Sequence, residues 1–122
     1  MAHILIIDDD PQFRQMLVTM LQADNHRVSQ AGDGEEGLRQ VAQSSPDLII
    51  TDILMPKVDG IEFVMELKRQ NKAIPVIAVS GGRRSITAEF NLDSAALMGV
   101  NETLPKPFSR DDLRRSIKKV LG

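Results

Sequence analysis

Short apolar runs without alternation are the feature that most constrains how this chain of 122 residues can fold. Three such runs are rich in β-branched residues and cover residues 4–7, 48–50 and 76–79. Continuous runs of this length are typical of strands that are buried on both faces of a parallel sheet. A weaker run lies near Thr103 and Leu104, and residues 27–31 alternate, which is typical of an edge strand. The sequence therefore predicts five strands.

Segments with a helical period of apolar residues separate the predicted strands. In the first of them, apolar residues recur every three or four positions at Phe13, Met16, Leu17, Met20 and Leu21. Similar faces lie within residues 38–42, 61–65 and 113–121, and residues 88–98 are helical by composition. We expect the methionines at positions 16, 20 and 65 to fill the core. This alternation predicts an α/β fold, a doubly wound parallel sheet with helices on both faces, in a single domain spanning residues 1–122.

Two helix starts are marked by capping residues. Asp10 precedes Pro11, which predicts an N-cap followed by proline at the first helical position. Ser109 is followed three residues later by Asp112, which resembles a capping box. Both pairs lie directly before a predicted apolar face, so they predict where the first and last helices begin.

Charge and composition exclude several classes of function. The formal net charge is −2, from 15 basic and 17 acidic side chains, so we expect no direct nucleic-acid binding. The chain has no cysteine, which excludes disulfides and thiolate sites and is consistent with a reducing cytoplasm, the location we expect. No apolar run is long enough for membrane insertion. His3 and His26 have no partner at metal-ligand spacing and are expected to face solvent.

Acidic, hydroxyl and basic side chains follow the predicted strands. Asp8 and Asp9 come after the first strand, Asp52 ends the third, Ser80 ends the fourth, and Lys106 follows the fifth. Open α/β sheets bind ligands at the carboxyl ends of their strands, and neighbouring strands lie about 4.8 Å apart. We therefore expect these side chains to share one shallow pocket.

Such a pocket favours phosphoryl chemistry with a divalent cation. Clustered carboxylates repel one another, and Mg²⁺ suits a few carboxylates together with waters and a phosphate. Lys106 adds a positive charge that can stabilise the oxygens of a phosphoryl group in transfer. Asp52 is alone at the end of a central strand and is the natural acceptor, which would give an aspartyl phosphate. Asp8 and Asp9 form a pair that is better suited to the metal.

The chain resembles the receiver domains of two-component response regulators across essentially its whole length. The matching segments occur in the order of that family and are Ile4–Asp10, Leu48–Pro56, Asp59–Gly60, Val79–Gly81 and Leu104–Phe108. The resemblance implies a CheY-like sheet of strand order 2-1-3-4-5. A chemotaxis response regulator is itself an example of ligand binding at the carboxyl ends of strands. The predicted position of the site is therefore not independent of the resemblance.

The resemblance assigns roles to the acidic residues. It implies that Asp52 is the phosphoacceptor and also a metal ligand. It implies that Asp9 binds Mg²⁺ directly and Asp8 through water, with the backbone carbonyl of Leu54 as a further ligand. By the same resemblance the chain is a signalling switch that catalyses its own phosphoryl transfer and dephosphorylation and is not an enzyme acting on a separate substrate.

The same resemblance implies the remaining roles and the partners. Ser80 would hydrogen-bond the phosphoryl group, Lys106 would pair with it, and the Lys106–Pro107 peptide bond would be cis. The phosphoryl donor would be a histidine kinase or a histidine phosphotransfer protein. Because the last helical segment runs to Gly122, we expect the output to pass to a downstream protein target by direct contact.

Two departures from the family pattern concern the output. Thr103 stands where the family usually has an aromatic residue, so the usual coupling of the serine to that ring cannot operate here. Residues 81–84 read Gly-Gly-Arg-Arg and resemble a subgroup of small receivers with a glycine-rich loop. We hypothesise that this loop moves on phosphorylation, because glycine tolerates unusual dihedral angles.

Three alternative functions compete with that of a phosphorylated switch. A pseudo-receiver would be a phosphorylation-independent protein interaction module, and the intact acids and Lys106 argue against it. A magnesium-dependent phosphatase of the haloacid-dehalogenase type carries a second acid two residues after its nucleophile, where this chain has Leu54. A flavodoxin-like FMN carrier is disfavoured because the chain has neither Trp nor Tyr to stack on the flavin.

Overall fold

A computed structural model of the chain describes residues 2–52, 60–70, 73–81 and 100–122. Within these residues the chain forms five strands and four helices, in the order β1 (His3–Ile7), α1 (Pro11–Ala23), β2 (Arg27–Ala31), α2 (Gly34–Ser44), β3 (Leu48–Asp52), α3 (Gly60–Arg69), β4 (Val76–Gly81), β5 (Glu102–Lys106) and α4 (Arg110–Leu121). The predicted helix over residues 88–98 and most of the glycine-rich segment lie outside the described residues.

The five strands form one parallel sheet in the order β2-β1-β3-β4-β5. This confirms the predicted fold class and strand order. The alternating segment, β2, lies at one edge of the sheet, as its pattern predicted. Among the described residues, no helix is both long and apolar enough to cross a lipid bilayer.

Successive side chains of the central strands supply two separate hydrophobic clusters, one on each face of the sheet. Ile4 and Ile6 pack with residues of α1 and α4, whereas Leu5 and Ile7 pack with residues of α2 and α3. All five residues of β1 are buried. Because both faces of the strand are covered, its apolar run has no alternation.

Both predicted helix starts are confirmed by their hydrogen bonds. The Asp10 carboxylate accepts from the backbone N–H groups of Gln12 and Phe13, at 3.0 and 3.3 Å, and proline occupies the start of α1. At the start of α4, Ser109 and Asp112 each accept from the backbone N–H of the other at 3.0 Å, forming a capping box. The cap on α1 fixes the chain directly after the strand end that carries Asp8 and Asp9.

Three expectations about burial were wrong. His3 was expected to face solvent but is only 8% exposed, because it begins a strand that is covered on both faces, and its Nε2 lies 2.7 Å from the Ser29 hydroxyl. Met16 and Met65 were expected to fill the core but are 42% and 56% exposed. Met16 precedes Leu17 and Val18, which are buried, so it lies at the margin of the buried face of α1.

Gly37 marks the closest approach of α2 to the sheet. A Cβ at this position would lie 2.5 Å from Cδ1 of Ile7, 3.1 Å from its Cγ1 and 3.2 Å from Cε1 of Phe63. Glycine inside a helix costs about 1 kcal/mol relative to alanine, so the sequence gives up helix propensity here. The absence of a side chain at position 37 lets α2 pack directly on β1.

We predict that Gly37→Ala lowers the free energy of unfolding by up to about 2 kcal/mol, because overpacking of a buried contact costs about 1–3 kcal/mol and the gain in helix propensity offsets about 1 kcal/mol of it. The measurement is urea unfolding followed by circular dichroism. Gly32→Ala is the matched control, since a Cβ there meets its nearest atoms at 3.7 Å, and we expect a change within about 0.5 kcal/mol.

A second substitution tests the same contact. Ile7→Val removes the Cδ1 atom nearest to position 37 and costs about 0.5–1.5 kcal/mol on its own. We expect it to cost less, or to stabilise, when Gly37→Ala is already present. An equal loss in both backgrounds would contradict the proposed contact.

Candidate functional site

Because the strands are parallel, the carboxyl ends of β1, β3 and β5 lie on the same side of the sheet. β1 and β3 pair with Ile7 opposite Thr51, so the next residues, Asp8 and Asp52, follow side by side. Lys106 ends β5 on the same side. The predicted convergence of these residues is therefore found in the structure.

Lys106 connects the two buried acids. Its Nζ lies 3.2 Å from Oδ2 of Asp8 and 3.2 Å from Oδ2 of Asp52. The Asp8 and Asp52 side chains are 2% and 0% exposed, and that of Lys106 is 20% exposed. Buried carboxylates are costly unless they are paired and hydrogen-bonded, so this ammonium compensates much of the negative charge.

The pKa of Asp8 is raised to about 6, and burial is the main cause. The negative charge of Asp52 raises it further, whereas the hydrogen bond from the Asp10 backbone N–H, at 2.9 Å, and the Lys106 ammonium lower it. Burial thus outweighs the groups that stabilise the charged form. Further positive charge beside Asp8 would therefore favour its ionised form.

The acidic residues form a group that could hold a metal ion. One carboxylate oxygen from each of Asp8, Asp9 and Asp52 lies within 4.8 Å of the others. A hard divalent cation prefers such oxygen ligands, and it would favour the ionised form of Asp8. The donor set therefore fits the metal site that the sequence predicted.

Two aromatic side chains complete the surroundings of Lys106, and no sequence pattern predicted them there. The ammonium lies 3.8 Å from the centroid of the Phe13 ring. The ring of Phe108 packs edge-on against Phe13, with centroids 5.8 Å apart and planes at 87°. Phe13 was read only as part of the apolar face of α1; its position in the first turn after Asp10 is the signal that could have placed it near the acids.

Arg14 fixes the backbone of the acidic segment. Its Nη1 donates to the Asp8 carbonyl oxygen at 2.6 Å, and its Nε donates to Oε1 of Gln30 at 3.3 Å. The Asp8 backbone N–H donates to the Ala31 carbonyl at 3.1 Å. These contacts tie the end of β1 to the end of β2.

The other predicted site residues are described only in part. The backbone of Ser80 lies in β4 opposite Pro105, one residue before the Gly81–Lys106 pair, but its side chain lies outside what the structure describes. Leu54 also lies outside the described residues. The Lys106–Pro107 peptide bond is cis, as expected.

A family model, the response regulator receiver domain, matches residues 4–118. The chain is 36% identical to the KDP operon transcriptional regulatory protein KdpE of Escherichia coli (strain K12), over 99% of this chain and 52% of that protein. It is 30% identical to the alkaline phosphatase synthesis transcriptional regulatory protein PhoP of Bacillus subtilis (strain 168), over 97% of this chain and 48% of that protein. The chain thus spans about half the length of these relatives.

Solved structures show the same similarity. A response regulator receiver domain protein from Clostridium thermocellum superposes with a TM-score of 0.89 at 32% identity, covering 99% of this chain and 94% of that one. The chemotaxis protein CheY4 of Vibrio cholerae superposes with a TM-score of 0.84 at 30% identity, covering 99% of both chains.

The raised pKa of Asp8 predicts a pH-dependent stability. Between its ordinary value of 3.8 and about 6, the folded state binds more protons at this carboxyl than the unfolded state does. The contribution of Asp8 to the free energy of unfolding is therefore complete below pH 3.8 and is lost as the pH rises through about 6. Asp8→Asn has no such titration, so its stability relative to the native chain should rise over this range by up to about 3 kcal/mol, at about 1.4 kcal/mol per pKa unit.

The measurement is urea unfolding of both proteins in EDTA, from about pH 4 to about pH 7. Asp111→Asn is the control, because the Asp111 side chain is 77% exposed and lies in α4. A difference between Asp8→Asn and the native chain that does not change with pH would contradict the assignment.

Proposed function

This chain belongs to the response regulator receiver domain family of two-component systems, and from this premise we propose that it is a switch phosphorylated on Asp52. The donor is the phosphohistidine of a histidine kinase or a histidine phosphotransfer protein. One observation supports this most: the Asp52 carboxylate lies at the end of a central strand, within 4.8 Å of Asp8 and Asp9 oxygens and 3.2 Å from the Lys106 ammonium.

The reaction transfers one phosphoryl group from a histidine nitrogen to a carboxylate oxygen of Asp52. A carboxylate oxygen of Asp52 attacks phosphorus, an O–P bond forms, and the N–P bond of the phosphohistidine breaks. The electron pair of that bond returns to the imidazole nitrogen. The later hydrolysis of the aspartyl phosphate releases inorganic phosphate and restores the carboxylate. The chain accelerates its own modification in both steps, so it acts as a switch and not as an enzyme with a separate substrate.

The acidic residues are proposed to hold Mg²⁺. Asp9 and Asp52 would bind it directly and Asp8 through water, and the backbone carbonyl of Leu54 would supply a further oxygen. When bound, the ion neutralises negative charge on the acids and on the phosphoryl oxygens. The pKa of Asp8 supports this part of the proposal: burial raises it most and the charge of Asp52 raises it further, so a nearby cation would favour the ionised acid.

Lys106 and Ser80 are proposed to bind the transferred group. The Lys106 ammonium reaches both acids and is only 20% exposed, so its charge acts where water is largely excluded. Ser80 lies in β4, one residue before the Gly81 that pairs with Lys106, and its hydroxyl would donate to a phosphoryl oxygen. Together they stabilise charge that builds up on the transferred phosphoryl oxygens.

The output is proposed to be a change in contact with a downstream protein. Phosphorylation adds about −1.5 to −2 charges at the strand end, which is enough to bias a nearby segment between two positions. Thr103 lies in β5, so the switch cannot use an aromatic ring at that position. We propose a cytoplasmic location, without direct binding to nucleic acid by this domain, in keeping with its net charge of −2.

We predict that Mg²⁺ with acetyl phosphate adds one phosphoryl group to the chain, detected by intact mass spectrometry. Asp52→Asn should abolish the gain, because it removes the nucleophilic oxygen. Asp111→Asn, at an exposed position, should gain as much as the native chain. EDTA should abolish the gain in the native chain and in Asp111→Asn.

The outcome also separates the proposal from its alternative. No gain in mass, together with Mg²⁺ binding no tighter in the native chain than in Asp9→Asn, would contradict a phosphorylated switch. It would favour a phosphorylation-independent interaction module with the same fold.

A further inference from the structure

Lys106 has a third contact besides its two ion pairs. The Phe13 ring presents its face to the ammonium, with 3.8 Å between Nζ and the ring centroid. Phe108 packs edge-on against Phe13 and fixes the direction of that ring. The ammonium is therefore held between two carboxylates and one aromatic face.

Packing alone does not require an aromatic residue at position 13. Phe13 and Phe108 are only partly buried and lie at the margin of the cluster beneath α1 and α4. A leucine would satisfy a purely hydrophobic role there. The negative face of an aromatic ring attracts a cation, and the attraction strengthens when the cation is partly desolvated, as Lys106 is at 20% exposed.

The ring contact differs from the ion pairs in what can weaken it. A divalent cation bound to the acids would compete with Lys106 for Asp8 and Asp52, which both contact its Nζ at 3.2 Å. The contact with Phe13 does not involve the carboxylates, so it would persist. Lysine has a flexible side chain of four methylene groups, and without such a contact its ammonium could swing into solvent.

We propose that Phe13 is a positioning residue. It keeps the Lys106 ammonium beside Asp8 and Asp52 when a divalent cation binds their carboxylates. This inference rests on the proposed function, in which Lys106 binds phosphoryl oxygens. Phe13 touches neither the metal nor the transferred group in this proposal, and it acts only through Lys106.

The kinetic test is a double-mutant cycle. Phe13→Leu keeps an apolar side chain but removes the ring, and Phe13→Tyr keeps the ring. We expect Phe13→Leu to slow phosphorylation by acetyl phosphate in saturating Mg²⁺ by about two- to tenfold, and Phe13→Tyr to restore most of the rate. In a Lys106→Met background, Phe13→Leu should change nothing further. An equal slowing with and without Lys106, or a Tyr variant as slow as the Leu variant, would overturn the proposal.

A second measurement does not depend on phosphorylation. NMR relaxation of the Lys106 side chain, in Mg²⁺ and without a phosphodonor, reports how tightly the ammonium is held. We expect the order parameter of the Lys106 side chain to be lower in Phe13→Leu and native in Phe13→Tyr. An unchanged order parameter in Phe13→Leu would contradict the proposed role of Phe13. If the native chain takes no phosphoryl group, the proposed function fails, and this measurement alone decides whether Phe13 positions Lys106.

Discussion

The candidate site depends on one ammonium shared by two buried carboxylates. Lys106 is 98 residues from Asp8 and 54 from Asp52 in the sequence, yet its Nζ lies 3.2 Å from both. Removing one partner from a buried ion pair costs about 3–5 kcal/mol in general, because a buried charge is left uncompensated. The parallel sheet places the carboxyl ends of β1, β3 and β5 on the same side, and this arrangement brings the three groups together.

The rest of the molecule stabilises an arrangement that is unfavourable by itself. Burial raises the pKa of Asp8 to about 6, which means that the ionised acid destabilises the folded chain near neutral pH. Two hydrophobic clusters cover the sheet, and the Asp10 cap and Arg14 fix the backbone beside the acids. A bound cation would relieve the repulsion that remains. The site is thus held ready for a ligand that adds positive charge.

The features of the structure that follow from local sequence patterns were predictable from the sequence. Apolar runs without alternation predicted the central strands, and alternation predicted the edge strand β2. Polar residues at the strand ends predicted that Asp8, Asp52 and Lys106 lie together. Periodicity failed where packing between distant elements decides burial. It could not show that the first residue of β1, His3, is covered, or that Met16 lies just outside the buried face of α1. The contact of Phe13 with Lys106 also joins residues far apart in sequence, and only the folded chain reveals it.

Identifying the residue that carries the phosphoryl group is the most direct test. Borohydride reduces an aspartyl phosphate to homoserine, so treating the phosphorylated chain with borohydride and sequencing its peptides by tandem mass spectrometry marks the acceptor. The geometry predicts homoserine at position 52, and none at this position when Mg²⁺ is removed before the phosphodonor is added. Homoserine at Asp8 or Asp9, or at no aspartate of a chain that has gained a phosphoryl group, would contradict Asp52 as the acceptor.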